Sequence, residues 1–351
     1  MANLAITYQH IADILSFESS NTELEMTLSD PKFDWDNIVV EGSKHLVLPA
    51  IYCRLKSKKI LHLLPDELNS YLKEITSLNR NRNLAIIEQV HLLTELFNSH
   101  NIDYVLLKGT ALLVGDFYHD IAERMVGDID ILIDNNHIEM AFNLLKNNGY
   151  EPITETLGSQ FFEHKHLPRL KTSLHIGAVE LHRRLFVSYK DRILTTSHIL
   201  LKKQELNGIN IPSLNHLVRH NILNYQIADQ GSLYNTLNIR SVYDFIILLR
   251  RHNYIIDSSD RLVNKYIYIS ALFFKDLEVL HPQINHLTKF YLFKLKHLKF
   301  YKFWNKLLKL TDLVGVLSKR MLFFLSNRAY RKAVLNDRTR ISEVIRSIFK
   351  N

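Results

Sequence analysis

The sequence predicts an α+β protein in which a small mixed sheet lies between helical segments. Residues 104–133 have the pattern of strand, turn, helix, loop and strand, and residues 174–181 have the pattern of a further strand. Ten glycines and seven prolines in 351 residues are few, which favours helices over a turn-rich β fold.

The chain is long enough for two or three domains, and its patterns divide it into four parts. Residues 1–100 are predicted to be helical, most clearly over residues 74–98, where apolar residues recur at helical spacing. We place the sheet core at residues 101–190, a helical domain at residues 191–285 and a basic amphipathic helical tail at residues 286–351.

Cysteine usage and hydropathy predict a cytoplasmic protein. Cys53 is the one cysteine of the sequence, so an internal disulfide cannot form and a reducing compartment fits. The N-terminal residues lack the charged start and apolar run of a signal peptide, and no apolar run is long enough to span a bilayer. We therefore expect the protein in the cytoplasm, or at the surface of a membrane if its basic tail binds there.

The turn after the first predicted strand, residues 104–107, is a candidate anion site. Gly109 tolerates backbone angles that other residues avoid and lets a ligand approach the main chain. Thr110 is a suitable N-cap for a helix predicted at residues 111–118. Such a turn directs free N–H groups outward, and Lys108 adds a full positive charge beside them.

Two carboxylates in the second predicted strand, residues 128–133, form a candidate metal site. Because side chains alternate along a strand, Asp128 and Asp130 lie on one face, and the isoleucines between and after them lie on the other. Carboxylates at positions i and i+2 are roughly 6–7 Å apart and repel each other unless a cation lies between them. Mg²⁺ prefers such oxygen ligands, together with phosphate oxygens of a substrate.

A third carboxylate, Glu180, lies in the strand predicted at residues 174–181, on the same face as His182. If this strand lies beside that of Asp128, Glu180 either completes the metal site or takes the proton from an attacking hydroxyl. The alternative is an exposed glutamate on an edge strand. The aspartate pair and the Leu-His that follows Glu180 favour the functional role.

These residues carry a resemblance to a known family. Segments 108–112 (KGTAL), 127–130 (GDID) and 180–182 (ELH), with Arg124 between the first two, occur in this order. The pattern resembles that of the uncharacterised (type 5) nucleotidyltransferases, which belong to the polymerase-β-like nucleotidyltransferase superfamily. It is more distantly similar to that of the abortive-infection nucleotidyltransferase toxins.

The resemblance implies a polymerase-β-like nucleotidyltransferase core, flanked here by N-terminal and C-terminal helical segments. It implies transfer of a nucleoside monophosphate from an NTP to an acceptor hydroxyl of unknown identity, with release of pyrophosphate and with Mg²⁺ or Mn²⁺ as cofactor. The implied catalytic and metal-binding residues are Asp128, Asp130 and Glu180, and the implied nucleotide-binding residues are Lys108, Gly109, Thr110 and Arg124.

Three alternatives stay open at this point. One is a toxin-like enzyme that transfers nucleotides to RNA, and another is an enzyme at the membrane that modifies a glycan or a lipid-linked acceptor. The third is a non-catalytic scaffold that binds nucleotide or nucleic acid.

Three further polar features have functional and structural interpretations. His164 and His166 form a pair that could bind zinc, but no cysteine or second pair at metal spacing accompanies it. His216 and His220 could also bind a metal, but no glutamate follows them as in a zinc protease. We expect the first pair at the surface or facing substrate, and the second on the polar edges of a helix. The resemblance suggests that Asp244 orients the acceptor; the alternative is an exposed aspartate in the first turn of a helix.

Positive charge is concentrated at the C-terminus. Residues 286–351 hold 16 lysines and arginines and 3 acidic residues, a net charge of +13, whereas the rest of the chain carries −5. Residues 289–309 interleave lysines with aromatic and leucine side chains. RNA and an anionic membrane surface are both candidate partners for such a segment. Alternatively, its aromatic residues pack on the body and its lysines are only solvated.

Overall fold

A small mixed sheet surrounded by helices confirms the predicted α+β class. The computed structural model describes residues 3–153, 161–187, 193–251 and 260–336. The sheet has five strands in the order β1-β2-β5-β4-β3, and β2 and β5 are parallel whereas the other neighbours are antiparallel. The strands are β1 (Tyr104–Leu106), β2 (Asp128–Ile133), β3 (Glu151–Pro152), β4 (Leu170–Lys171) and β5 (Ala178–His182).

Strand β2 lies between β1 and β5 and is apolar apart from Asp128 and Asp130. Its residues from Ile129 onward are all buried, as expected for a strand flanked on both sides by others. The parallel register places Asp130 opposite Glu180. The condition under which Glu180 becomes the third carboxylate, that its strand lies beside that of Asp128, is therefore met. The interpretation of Glu180 as an exposed residue on an edge strand is wrong, because β5 lies between β2 and β4 and Glu180 is only 7% exposed.

The N-terminal part is helical, as predicted. Side chains of Asn3, Ser20 and Asp34 each accept a hydrogen bond from the first turn of the helix that follows, which explains where three of these helices begin. The last helix begins earlier than residue 74, at Asp66, because Leu68 and Leu72 continue its apolar stripe toward the N-terminus. The helices are α1 (Leu4–Leu15), α2 (Asn21–Leu28), α3 (Trp35–Lys44), α4 (Leu48–Ser57) and α5 (Asp66–Ser99).

Helices also dominate the rest of the chain. A π-helical turn, Asn224–Ala228, follows α9 directly. Among the described helices, none is both long and apolar enough to cross a membrane. The remaining helices are α6 (Lys108–Val114), α7 (Ile138–Asn147), α8 (Thr196–Leu201), α9 (Leu214–Leu223), α10 (Gly231–Tyr234), α11 (Ile239–Arg251), α12 (Arg261–Ser270), α13 (His286–Lys296), α14 (Leu298–Ser326) and α15 (Arg328–Asn336).

A β-hairpin within residues 191–285 was not predicted. Strands β6 (Lys203–Leu206) and β7 (Ile209–Pro212) pair antiparallel across Asn207 and Gly208. Both turn residues have positive φ, 52° and 78°, which is the geometry that an Asn-Gly hairpin turn requires. The Asn-Gly pair was thus the signal in the sequence that the helical interpretation of this region overlooked.

The turn at Lys108 differs from its prediction. Helix α6 already begins at Lys108, which has a φ of +51°, and it ends at Val114. Thr110 therefore lies inside the helix and is not its N-cap. Its hydroxyl donates a hydrogen bond to the carbonyl oxygen of Asp128 at 3.2 Å, so that it ties α6 to the start of β2.

Helix α5 holds the loop that leads into β2. The Asn79 side-chain amide donates to the carbonyl oxygens of Ala122 and Arg124, at 2.7 and 3.2 Å. The Asn83 amide donates to those of Ile121 and Arg124, at 2.6 and 2.8 Å. Buried carbonyl groups of a loop need such donors, because no water reaches them. The loop before β2 is thereby fixed to a rigid helix.

Replacement of Asn83 by alanine should destabilise the protein by about 1–3 kcal/mol, because it leaves buried carbonyl groups without donors. Asn81→Ala is the matched control, since Asn81 is exposed on the same helix. Both changes alter helix propensity equally, and the control should stay within about 0.5 kcal/mol of the wild type. Urea unfolding of the three proteins measures the difference; equal stabilities would contradict this role of α5.

Candidate active site

Three carboxylates and a histidine converge on one face of β2 and β5. Asp130, Glu180 and His182 are buried, and Asp128 lies at the edge of the group with a third of its side chain exposed. Each of the three buried residues offers an oxygen or nitrogen atom within 4.8 Å of those of the others. In the part of the chain that the structure describes, this is the one cluster of three or more potential metal ligands.

One oxygen of Asp130 is contacted by both Lys108 and His182. The Lys108 ammonium lies 2.5 Å from its Oδ1, and His182 Nε2 donates a hydrogen bond to the same oxygen at 2.8 Å. Burial alone would raise the pKa of Asp130, but the charge of Lys108 and the hydrogen bond from His182 outweigh it and hold the pKa well below its usual range. Asp130 is therefore ionised at neutral pH.

Arg169 connects the other two carboxylates, and the sequence interpretation did not include it. Its guanidinium donates to Glu180 Oε1 at 2.7 and 3.0 Å and lies 3.2 Å from Asp128 Oδ2. Burial would raise the pKa of Glu180, but hydrogen bonds from His182 and Arg169 lower it to about 2. The pKa of Asp128 is raised, first by burial and then, against the opposing effect of Arg169, by Glu180 and Asp130.

His182 was singled out only as a neighbour of Glu180, yet it is central to the cluster. Its Nε2 lies 2.8 Å from Asp130 and 3.4 Å from Glu180 Oε2, and the ring is 1% exposed. Its Nδ1 is buried and has no hydrogen-bond partner among the described residues. The ring packs against that of His166 at 5.3 Å. The alternation of Glu180 and His182 on β5 was the available signal.

The residues of the predicted anion site are placed beside the carboxylates. Lys108 joins them directly, and its pKa is raised because Asp130 outweighs the effect of burial. Gly109 is buried, and a Cβ there would lie 3.0 Å from Val126 and 3.3 Å from the Arg124 guanidinium. A side chain at this position would therefore press on Arg124.

Arg124 and Asp244 form a buried pair next to this turn. Arg124 Nε donates to Asp244 Oδ2 at 2.9 Å, and the hydroxyl of Tyr118 donates to the other oxygen of the same carboxylate. Asp244 is 2% exposed, so the interpretation of an exposed aspartate in the first turn is wrong. The charge of Arg124 is largely balanced by Asp244 in this structure. The pair connects the loop before β2 to α11.

The other predicted histidines take no part in a metal cluster in the described segments. His198 and His216 stack edge to face at 5.0 Å. His220 is 2% exposed and has a pKa lowered to about 3, first by burial and then by Lys108. The expectation that His216 and His220 lie on the polar edges of a helix is therefore wrong for both, because both are buried.

Comparison with known proteins identifies the family. The model of the uncharacterised nucleotidyltransferase family matches residues 31–267. Among solved structures, an antigenic nucleotidyltransferase-like protein from Paracoccidioides brasiliensis is similar at 21% identity, with a TM-score of 0.34 over 51% of this chain and 84% of that chain. No curated protein matches. Since the family model covers more than half of the chain, the protein belongs to the family of uncharacterised nucleotidyltransferases.

Proposed function

We propose that the protein transfers a nucleoside monophosphate from an NTP to an acceptor hydroxyl. The observation that carries this proposal is the convergence of Asp128, Asp130 and Glu180 on adjacent parallel strands. In this reaction the acceptor oxygen forms a bond to the α-phosphorus, and the bond between that phosphorus and the bridging oxygen breaks. Pyrophosphate leaves with the electron pair, and the hydroxyl proton passes to a carboxylate or to water.

The donor set fits a hard divalent cation. Two buried carboxylates and an imidazole nitrogen lie within 4.8 Å of one another, and Asp128 stands at the more exposed side. Oxygen-rich sites of this kind suit Mg²⁺, and a nitrogen ligand is also compatible with Mn²⁺. When bound, such an ion polarises the α-phosphate and lowers the pKa of the attacking hydroxyl. We assign Asp128, Asp130 and Glu180 as its ligands, with Glu180 also able to accept the proton.

The positive groups around the cluster suit the triphosphate. Lys108 could exchange its contact with Asp130 for one with phosphate oxygens, and Gly109 leaves room beside it for the Arg124 guanidinium. Thr110 and Arg124 would act through position, because Thr110 binds the backbone of β2 and Arg124 is paired with Asp244. The family pattern and the contacts above support these proposed roles.

Transfer should be abolished, by at least about 100-fold, in Asp128→Asn and in Asp130→Asn, because both remove charge from the centre that must balance the phosphates. Each labelled NTP is incubated with the protein, Mg²⁺ or Mn²⁺ and a cell extract, and the labelled product identifies the acceptor class. Glu139→Gln, an exposed carboxylate on α7, is the control.

Of the two variants, Asp128→Asn separates an effect on transfer from an effect on stability more clearly. The raised pKa of Asp128 shows that its charge is unfavourable in the folded protein, so its loss should not lower stability. Asp130 has a depressed pKa, so its charge stabilises the fold at neutral pH and this contribution is lost only as pH falls toward the folded-state value. Near wild-type transfer by Asp128→Asn would refute the site. A labelled RNA would favour the toxin-like alternative, and no labelled product with any NTP would favour the non-catalytic scaffold.

For the tail we propose an anionic membrane surface as partner of a cytoplasmic enzyme. Helix α14 contains no buried residue, and most of its exposed aliphatic and aromatic side chains form one stripe, with Leu313, Val316 and Leu322 outside it. A basic helix with such a stripe binds at the interface of anionic lipids. Because the tail and the whole chain are both positively charged, the charge favours anionic lipid as the partner over a second copy of this chain. The stripe consists of Phe303, Leu307, Leu310, Val314, Leu317, Met321 and Leu325.

The aromatic residues of the tail support lipid over RNA. Stacking on bases needs free rings. Phe290, Phe300 and Trp304 instead pack on one another, and Phe323 packs on Tyr330, while the exposed stripe is mostly aliphatic. Helix α13 is part of the body, since Tyr291 and Leu295 are fully buried, so the surface available to a partner begins with α14.

Val314→Glu should weaken binding to vesicles of phosphatidylcholine and phosphatidylglycerol by about tenfold, because it puts a charge into the stripe that enters the lipid. Val316→Glu is the matched control, since it makes the same change on the opposite side of α14. Co-sedimentation across a salt series measures binding, and gel shift with bulk tRNA runs in parallel. Equal effects of the two changes, or binding to tRNA alone, would contradict the proposal, as would self-association that depends on Val314.

A further inference from the structure

A cavity lies directly beside the carboxylate cluster, between α6 of the sheet core and the helices α9 and α11. Lys108 lines it and also contacts Asp130, so the cavity and the cluster share one side chain. The walls come from α6, α9, α11 and the π-helical turn. Polar residues that line it include Asn221, Asn224, Asp229, Arg240 and Ser241.

Arg240 is the unusual member of this lining. Among the described residues its guanidinium has no hydrogen bond and no ion pair, although most of the side chain is covered. Burial, and then the positive charge of Arg124, lower its pKa to about 10. A covered cation without a partner is unfavourable, so a protein retains one where an anion completes it.

The neighbouring charges do not supply that anion. The Asp244 carboxylate is occupied by Arg124 and Tyr118, and Lys108 is held by Asp130. Asp229 is exposed at the cavity and makes no ion pair with Arg240 among the described residues. Arg240 is therefore the one cation of the lining that has no close counter-ion among the described residues.

A second observation points to a ligand in the same place. The π-helical turn Asn224–Ala228 presents Asn224 and Tyr225 to the cavity. The side-chain oxygen of Asn224 is buried and has no hydrogen-bond partner in the described part of the chain. Turns of this type are rare and occur frequently at functional sites. Both an unpaired cation and an unpaired acceptor thus line one cavity.

We propose that this cavity binds a phosphate group through Arg240, and that Asn224 orients the remainder of the same ligand. A guanidinium matches phosphate geometry because it offers paired donors in one plane. The identity of the ligand rests on the proposed function, because a phosphate seated here lies next to Lys108 and hence next to the reaction centre. It comes either from the terminal phosphates of the NTP or from a phosphorylated acceptor.

The test measures binding of inorganic pyrophosphate by isothermal titration at low salt, without metal. Arg240→Gln should weaken it by at least about tenfold, the low end for a charge-assisted hydrogen bond. Arg261→Gln, an exposed arginine on α12, is the control and should bind as the wild type does. Arg240→Lys keeps the charge but not the paired donors and should be intermediate.

A second readout excludes a merely structural role. If Arg240 serves to bind a ligand, its charge is unfavourable in the ligand-free protein. The melting temperature of ligand-free Arg240→Gln should then equal or exceed that of the wild type, whereas loss of an arginine that stabilises the fold would lower it. Pyrophosphate should raise the melting temperature of the wild type more than that of the variant. Wild-type affinity in Arg240→Gln, or no binding of millimolar pyrophosphate to the wild type, overturns the proposal.

Two further titrations identify the source of the phosphate. If Arg240→Gln binds α,β-methylene-ATP more weakly than the wild type does but binds ribose 5-phosphate equally well, the cavity holds a phosphate of the NTP. If it binds only ribose 5-phosphate more weakly, the cavity holds the phosphate of a phosphorylated acceptor. These titrations measure binding and do not require that the protein transfers a nucleotide. A protein that binds pyrophosphate through Arg240 but labels no acceptor would refute the proposed function only, and active transfer with unchanged binding would refute only this inference.

Discussion

The parallel pairing of β2 with β5 brings three negative charges together, and the surrounding structure depends on how that repulsion is balanced. Asp130 lies opposite Glu180 in the register, and Asp128 precedes Asp130 on the same face of β2. Lys108 and Arg169 supply the opposite charges from two sides, and His182 contributes a hydrogen bond to Asp130 and a longer contact to Glu180. The low pKa of Asp130 and of Glu180 shows that this arrangement favours the ionised forms in spite of burial.

Rigid helices hold the loops that carry these groups. Asn79 and Asn83 on α5 fix the loop that contains Arg124, and Arg124 in turn binds Asp244 on α11. The sheet core is thus tied to helices from both ends of the chain. An arrangement of this kind keeps the site preorganised, as the proposed reaction would require, because catalysis of phosphoryl transfer is mainly positioning and neutralisation of charge.

Local patterns predicted the elements with strong alternation or periodicity and missed the contacts between distant segments. The strand at Asp128–Ile133 was predicted with its observed bounds, because it alternates carboxylates and isoleucines. The hairpin at Asn207 and the start of α6 before Thr110 depend on backbone geometry at two turns, where Asn207, Gly208 and Lys108 adopt positive φ. The contacts of Arg169 with Glu180 and of Asp244 with Arg124 could not be predicted from sequence, since the partners lie 11 and 120 residues apart along the chain. Their positions follow from tertiary packing alone.

The most direct test of the central claim is the affinity for Mn²⁺, measured by electron paramagnetic resonance with and without a non-hydrolysable NTP. If the carboxylates form one metal and nucleotide site, the NTP should tighten Mn²⁺ binding by at least about tenfold in the wild type, and Glu180→Gln should lose most of that gain. Equal Mn²⁺ affinity in both proteins, unaffected by nucleotide, would contradict the account.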